Sequence, residues 1–169
     1  VNNASVFERD DALAATRASW DRHMEVNLRA PLVLSQELVR RLPAGTQANI
    51  INILDQRVWR LTPYFTSYTV SKMGLWTLTR TLAMALAPMV RVNAIGPGPT
   101  LPSVRQSAAQ FARQWQAVPL RRAVDPAEIG AAVRFILDAP SLTGQMIAID
   151  AGQHLGWGGG GGGGEPPDE

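Results

Sequence analysis

The chain has 169 residues, of which 46% are hydrophobic and 18% charged, enough for one ordinary domain with a hydrophobic core. Its formal net charge of +2 comes from scattered arginines without a basic stripe, which argues against nucleic-acid binding. No apolar run is long enough to span a membrane, and the absence of cysteine excludes disulfides and thiolate metal sites.

The first residues, VNNASVFERDD, contain neither a basic segment nor a long apolar stretch, so we expect no signal peptide and a cytoplasmic protein. They also lack a methionine, which suggests that the sequence is a fragment. At the other end, residues 158–164 are seven consecutive glycines followed by EPPDE. Such a segment buries too little surface to offset its ordering entropy, so we predict a domain over 1–157 and a disordered tail over 158–169.

Amphipathic helices alternate with apolar strands along the predicted domain. A helix is predicted over 22–41, with Pro31 as a candidate kink, and a strand follows over 48–54. A second helix over 66–88 precedes a strand over 90–96 that ends at PGP. Segment 125–138 opens with an Asp N-cap, a Pro and a Glu, which is typical of a helix start, and 145–150 is the last predicted strand. Apolar strands alternating with helices predict a parallel α/β sheet.

Tyr68 and Lys72 are the first candidate functional residues. Four positions apart on a predicted helix, they lie on one face, and Lys72 is the only lysine in a chain that otherwise uses arginine. A phenol is a weak acid at neutral pH unless a nearby cation favours its anion. A lysine supplies that cation as a compact ammonium that can also reach a ribose hydroxyl. The alternative is an ordinary pair of side chains on a helix face.

Several further motifs stand in a fixed order around this pair: NNAS at 2–5, Asn27 in MEVNL, RVNAIGPGPT at 91–100 and TGQMIAIDAG at 143–152. Together they resemble the short-chain dehydrogenase/reductase family. The resemblance implies a Rossmann-like, doubly wound parallel sheet and an NAD(P)H-dependent oxidoreductase that forms homo-oligomers, tetramers or dimers. The helices at 22–41 and 66–88 are those expected to pack between subunits, with apolar surface from Leu75, Leu78, Leu82 and Leu86.

The resemblance also implies roles for individual residues. Tyr68 is the expected proton donor, Lys72 the residue that tunes it and binds the nicotinamide ribose, and Asn27 the holder of a water in the proton relay. The expected cofactor-binding residues, besides Tyr68 and Lys72, are Asn3, Ala4, Ser5, Pro97 and Gly98.

Two features depart from the family pattern. Ala151-Gly152 replaces the usual Gly-Gly after the last strand, a change that matters only where the first position needs a positive φ. The Gly-rich turn that holds the cofactor pyrophosphate, and the residue that selects NAD or NADP, belong to a segment that precedes NNAS in the family. The chain is therefore expected to be N-terminally truncated, with only the catalytic, substrate-facing part of the fold.

Asp55 stands where most of the family has a serine that binds the substrate carbonyl. A carboxylate opposes the negative charge that a reacting ketone oxygen gains, whereas a carboxyl that passes protons to Tyr68 suits a ring C=N. This substitution resembles the pteridine reductases, which use an Asp-Tyr-Lys set. In that resemblance Ser5 contacts cofactor or pterin, Phe7 stacks on the pterin ring, and Thr100 is a further substrate-binding hydroxyl.

The sequence therefore predicts an NADPH-dependent reductase, with NADH not excluded, that transfers hydride to a ring C=N of a dihydropterin-type substrate. The substrate-binding set is Phe7, Asp55, Tyr68 and Thr100. Two alternatives remain open: a carbonyl or imine reductase of the same family, and a non-catalytic fragment. No metal site is expected, because His23 and His154 lack a neighbouring ligand pattern, and neither nucleic acid nor membrane is an expected partner.

Overall fold

A computed structural model describes residues 1–156 of the protein. The predicted tail over 158–169, together with Trp157 at the end of the predicted domain, lies outside the described residues. Among the helices of residues 1–156, none is both long and apolar enough to cross a membrane.

The described sheet has three parallel strands in the order β1-β2-β3, with β1 at Ala48–Ile53, β2 at Val90–Pro97 and β3 at Met146–Ile149. Ala48 pairs with Val90, and Ala94 with Met146. All three predicted strands are confirmed, with ends that differ by at most one residue. Asn2 adds a parallel bridge to Asn52, so the first residues lie along the outer edge of β1.

Helices cover both faces of this sheet, which confirms the predicted doubly wound α/β architecture. Helix α3 (Thr66–Ala85) packs on one face, where Ile50, Ala83, Val90 and Val92 form a buried cluster. Helix α5 (Pro126–Asp138) packs on the other, against the cluster of Ile51, Ile95, Ala132 and Ile136. Because successive strand residues face opposite sides, strands buried on both faces read as continuous apolar runs.

The helix predicted over 22–41 begins earlier than expected. Helix α1 runs from Arg17 to Met24, and its N-cap Thr16 accepts a hydrogen bond from the Ser19 backbone N–H. A π-helical turn at Glu25–Arg29 joins it to helix α2 at Ala30–Arg41. Pro31 has no N–H to donate to the carbonyl four residues earlier, so the irregular turn lies where the sequence placed the candidate kink.

The other helices agree with the sequence in type, with shifts at their ends. Helix α3 ends at Ala85, three residues before its predicted end at residue 88. Helix α5 begins as predicted, with Asp125 and Glu128 forming a reciprocal capping box. Helix α4 covers Ala108–Gln116 after the N-cap Ser107, in a segment for which the sequence predicted no element.

Of the leucine row assigned to a subunit interface, Leu75 is buried within the subunit, and Leu78, Leu82 and Leu86 are partly buried there. Leu75 and Leu78 pack in the cluster around Leu54 and Ala94, and Leu82 and Leu86 pack against the cluster around Val92. The expectation of exposed surface is therefore wrong for Leu75, whereas Leu78, Leu82 and Leu86 keep part of their surface exposed. The helix repeat identified an apolar face correctly, but that face is covered by the sheet. The exposed apolar side chains of α3 are Val70 and Met84.

Candidate active site

The candidate site lies where β1 and β2 end beside the N-terminus of α3. Asp55 follows β1 and caps a 3-10 turn at Gln56–Val58, with its Oδ1 accepting a hydrogen bond of 2.7 Å from the Arg57 backbone N–H. Tyr68 and Lys72 lie on the first turns of α3. The Tyr68 hydroxyl is 2.8 Å from Asp55 Oδ2, so the two side chains form one hydrogen-bonded pair.

Lys72, one helical turn after Tyr68, extends its side chain toward the Asp55–Tyr68 pair. Its Nζ donates to the Ile53 carbonyl at 2.9 Å and lies 5.7 Å from the centroid of the Tyr68 ring. Only 2% of Lys72 is exposed. Burial lowers the pKa of Lys72 to about 8, against the opposing effect of the Asp55 charge. The ammonium is therefore held next to the phenol by a strand carbonyl.

The N-terminus of α3 is fixed by a residue distant in sequence. Its N-cap, Phe65, has a positive φ of 60° and makes no side-chain capping bond. Instead, Asp10 Oδ1 accepts from the Ser67 backbone N–H at 3.0 Å, and the Asp10 carbonyl accepts from the Phe65 N–H at 2.7 Å. Burial raises the pKa of Asp10, but hydrogen bonds from Ser67 and Ser19 and the nearby His23 outweigh it and hold that pKa below its usual value. The helix end just before Tyr68 is thus capped by a residue that is distant in the sequence.

Asn27 connects the first residues of the chain to α3. Its side-chain oxygen accepts from the Val6 N–H at 2.8 Å and from the Ser5 hydroxyl at 3.2 Å. Its amide nitrogen donates to the Val6 carbonyl at 2.9 Å and to the Ser71 hydroxyl at 3.0 Å. The Asn27 side chain therefore holds the NNAS segment in place against the helix that carries Tyr68 and Lys72.

Phe7 forms an aromatic wall beside Tyr68. Its ring stacks on Phe65 at a centroid distance of 4.5 Å and meets the edge of Tyr68 at 4.6 Å. Arg105, from the loop after β2, donates a hydrogen bond to the Phe7 carbonyl. The loop over the site is thereby tied to this wall.

These groups surround a cavity of about 310 Å³. The predicted site residues that line it are Asn3, Ser5, Phe7, Asp55, Tyr68, Lys72, Pro97, Gly98 and Thr100. Ala4 and Asn27 lie outside the lining, and the Thr100 hydroxyl donates to the Gly98 carbonyl at 2.9 Å. The fold thus brings most of the predicted set to one cavity.

Sequence reasoning missed several lining residues, among them Gln56, Arg57, Gln106, Gln114 and Gln153. Gln56 and Arg57 directly follow Asp55, so their position at a strand end was a usable signal. The other three come from the loop after β2, from α4 and from the turn after β3. Nothing local in the sequence indicates that these segments meet.

The residues present fit one half of a nicotinamide dinucleotide. The Lys72 ammonium, the Tyr68 hydroxyl and the polar groups of Asn3 and Ser5 offer hydrogen bonds to a ribose and a carboxamide around the cavity. None of the helices within residues 1–156 begins at a Gly-rich turn that would present backbone N–H groups to a pyrophosphate. Over the same residues there is no cluster of side chains able to hold a metal ion.

Comparisons with known proteins found a family model and several relatives. A family model described as Enoyl-(Acyl carrier protein) reductase matches residues 1–154. Protein FixR of Bradyrhizobium diazoefficiens is 37% identical over 165 residues, and L-xylulose reductase of Homo sapiens is 31% identical over 160 residues. FolM Alternative dihydrofolate reductase 1 from Brucella suis, whose crystal structure is in complex with NADP, matches with a TM-score of 0.90 and 52% identity.

The matches cover nearly all of this chain but only part of each relative. They include 92% of this chain for FixR, 90% for L-xylulose reductase and 92% for the FolM structure. The corresponding shares of those proteins are 59%, 66% and 63%. The chain therefore spans about three fifths of the length of the relatives that it matches.

Proposed function

The chain belongs to the short-chain dehydrogenase/reductase family, and from that premise we propose that it forms the catalytic part of an NADPH-dependent reductase acting on a dihydropterin-type substrate. The observation that carries the proposal is the hydrogen bond of 2.8 Å between the Tyr68 hydroxyl and Asp55 Oδ2. A carboxyl paired with the phenol can pass protons to it, but it opposes charge on a ketone oxygen.

The proposed reaction adds one hydride and one proton to a ring C=N bond. The reduced nicotinamide, when bound, supplies the hydride to the ring carbon and is oxidised. Tyr68 gives its hydroxyl proton to the ring nitrogen, and a proton from solvent then reaches the Tyr68 phenolate through the Asp55 carboxylate, which ends as it began. The Lys72 ammonium, held at the Ile53 carbonyl, stabilises the phenolate that forms between these two transfers.

The aromatic wall that Phe7 forms beside Tyr68 is a reason to propose a flat heterocyclic substrate. Phe7 lines the cavity together with Asp55 and Tyr68, and its ring is held by the stack on Phe65. Offset stacking of aromatic rings contributes about 0.5–1.5 kcal/mol beyond the burial of area. In the proposed complex Phe7 packs against the pterin and Thr100 lies at its edge.

The other lining residues are assigned to the cofactor. Lys72 and Tyr68 bind the nicotinamide ribose, while Asn3, Ser5, Pro97 and Gly98 surround the nicotinamide, with Ala4 positioned by its neighbours. Asn27 acts through the segment that it holds, and it is also assigned the water of the proton relay. The NADP in the FolM structure supports NADPH as the cofactor.

Self-association is part of the same proposal, with a homotetramer or a dimer as the assembly. Helix α2 exposes Val33, Leu34 and Leu38, and α3 exposes Val70 and Met84. Exposed apolar side chains on two neighbouring helices are typical of surfaces that pair with another subunit.

Asp55→Ser in the intact protein tests the proposed reaction. We expect turnover of a dihydropterin to fall by about 10²–10⁴-fold, the range for general acid catalysis, with NADPH affinity nearly unchanged. The exposed Asp138→Ser serves as a matched control and should keep the parent rate. A variant that reduces dihydropterin at the parent rate would make Asp55 a bystander. Parent activity on a small ketone and none on dihydropterin would favour the carbonyl reductase alternative.

A further inference from the structure

Arg57 is a buried cation in the wall of the candidate site. Only 7% of the residue is exposed, and it lines the cavity together with Asp55, Phe7 and Tyr68. The guanidinium of an arginine is a cation, so this position places a positive charge beside the proposed reacting groups.

Arg57 contacts both oxygens of the Asp55 carboxylate. Its backbone N–H donates to Oδ1 at 2.7 Å, and its guanidinium Nε lies 4.0 Å from Oδ2. Oδ2 is the oxygen that is 2.8 Å from the Tyr68 hydroxyl. The same residue therefore fixes the rotation of the carboxylate and places a charge next to the oxygen that faces Tyr68.

Two aromatic rings and a hydroxyl help to hold the guanidinium in place. It lies 4.8 Å from the centroid of the Phe65 ring and 5.5 Å from that of Phe7, distances at which a cation is attracted to a ring face. Its Nη1 donates to the Thr62 hydroxyl at 3.1 Å, and that hydroxyl donates to the Tyr64 carbonyl. A guanidinium constrained in this way keeps a constant distance from Asp55.

A carboxylate in a partly buried site is costly unless a cation balances it. Lys72 balances it from the side of the helix, and Arg57 from the side of the turn after β1. We propose that Arg57 is a positioning residue that balances the charge of Asp55 and turns its Oδ2 toward Tyr68. The effect of Arg57 on catalysis rests on the proposed function, whereas the interaction of Arg57 with Asp55 does not.

Two substitutions separate the charge of Arg57 from its packing. Arg57→Met keeps a long side chain against Phe7 and Phe65 but removes the cation, and we expect kcat for dihydropterin to fall about 10²-fold, the usual effect of misplaced reacting groups. Arg57→Lys keeps the cation and should restore most of kcat. The KM for NADPH should stay near the parent value in both. Arg80→Met, an exposed position on α3, is the matched control and should leave kcat unchanged.

A double-mutant cycle of unfolding tests the pair without any substrate. We expect Asp55→Asn and Arg57→Met each to shift the unfolding equilibrium toward the unfolded state. The unfolding equilibrium constant of the double variant should be about tenfold smaller than the two single effects predict. If Arg57→Met does not fold, recovery of folding in the double variant would demonstrate the same interaction between Arg57 and Asp55. Should neither Arg57→Met nor the double variant fold, Arg57→Lys decides, because a packing role alone predicts no recovery by lysine.

Additive effects in the cycle, or equal kcat in Arg57→Met and the parent, would overturn the proposal. Equal losses in Arg57→Met and Arg57→Lys would overturn it as well, since only shape would then matter. If the parent protein does not reduce dihydropterin, the proposed function fails, and the unfolding cycle still decides whether Arg57 and Asp55 act as a pair.

Discussion

Lys72 illustrates how one side chain combines burial with charge. Its ammonium is removed from water but keeps a carbonyl partner at Ile53 and the Asp55 carboxylate nearby. Burial favours the neutral amine, and the pKa of Lys72 falls to about 8 as a result. The charge needed next to Tyr68 is therefore present at neutral pH but is lost just above it.

This pKa predicts a pH dependence of the free enzyme. As pH rises through about 8, Lys72 loses its proton, so kcat/KM for NADPH should fall on the alkaline side. In Lys72→Arg the charge persists, and the alkaline decline should disappear. The overall rate and the cofactor affinity should nevertheless both be lower, because a planar guanidinium does not replace the compact ammonium. Steady-state rates between pH 6 and about 10 measure both effects; an unchanged alkaline decline in Lys72→Arg would assign it to another group.

Ala151 is a second position where one residue is constrained by the fold. It follows β3 with a φ of 52°, in the left-handed region that favours glycine. The departure from Gly-Gly noted in the sequence therefore carries a conformational cost, since an L-residue in this region is strained by about 1–2 kcal/mol.

Replacing Ala151 by Gly should stabilise the protein. Relief of the strain outweighs the extra freedom of glycine in the unfolded chain, which costs about 0.4–1 kcal/mol, so we expect a net gain of about 0.5–1 kcal/mol. Urea unfolding measures it. Ala131→Gly, at an exposed position within α5, is the control and should cost about 1 kcal/mol. A loss of stability in Ala151→Gly would contradict the assigned conformation.

At the scale of elements, the N-terminus of α3 determines where Tyr68 points. The cap comes from Asp10 rather than from a neighbouring residue, and a carboxylate at a helix N-terminus also interacts favourably with the helix dipole. Because the folded state holds the pKa of Asp10 below 3.8, the stability that this carboxylate contributes is present above about pH 4 and is lost as pH falls further.

Asp10→Asn tests this remote cap. We expect a loss of about 1–2 kcal/mol in the free energy of unfolding near pH 7, since an amide keeps the shape but loses the charge. The difference from the parent should shrink as pH falls below about 4, where the parent carboxyl is also protonated. Asp138→Asn, at an exposed position, should show neither effect. A difference that does not depend on pH would mean that shape, not charge, provides the cap.

At the scale of the whole molecule, the described residues bring the proposed reacting groups to one cavity. The cavity combines residues from the first segment, the turn after β1, helix α3 and the loop after β2. In the proposed function, each of these segments contributes to the nicotinamide and substrate side of the site.

The 169-residue chain by itself should bind NADPH only weakly. None of the helices described over residues 1–156 begins at a Gly-rich turn, so the pyrophosphate lacks its usual backbone donors. Titration by cofactor fluorescence should not saturate at ordinary concentrations. Tight, saturable binding would show that other residues hold the nucleotide.

Much of the fold could be predicted because it depends on local patterns. The apolar runs at β1 and β2 and the capping signals of α5 lie within a few residues of sequence, and each predicted its element within one or two positions. The burial of Leu75 was the exception to these successful predictions. A helical repeat identifies an apolar face but not whether the sheet or another subunit covers it.

The sequence by itself determined the parallel α/β class and the placement of Tyr68 and Lys72 on one helix face, because both follow from spacing along the chain. Only the tertiary structure decided which groups surround them. Asp10 caps a helix that begins more than fifty residues later, Asn27 holds Val6 and Ser71 together, and the side chain of Arg57 turns back toward Asp55 between two aromatic rings. These contacts depend on how distant segments pack, and no periodicity of the sequence encodes them.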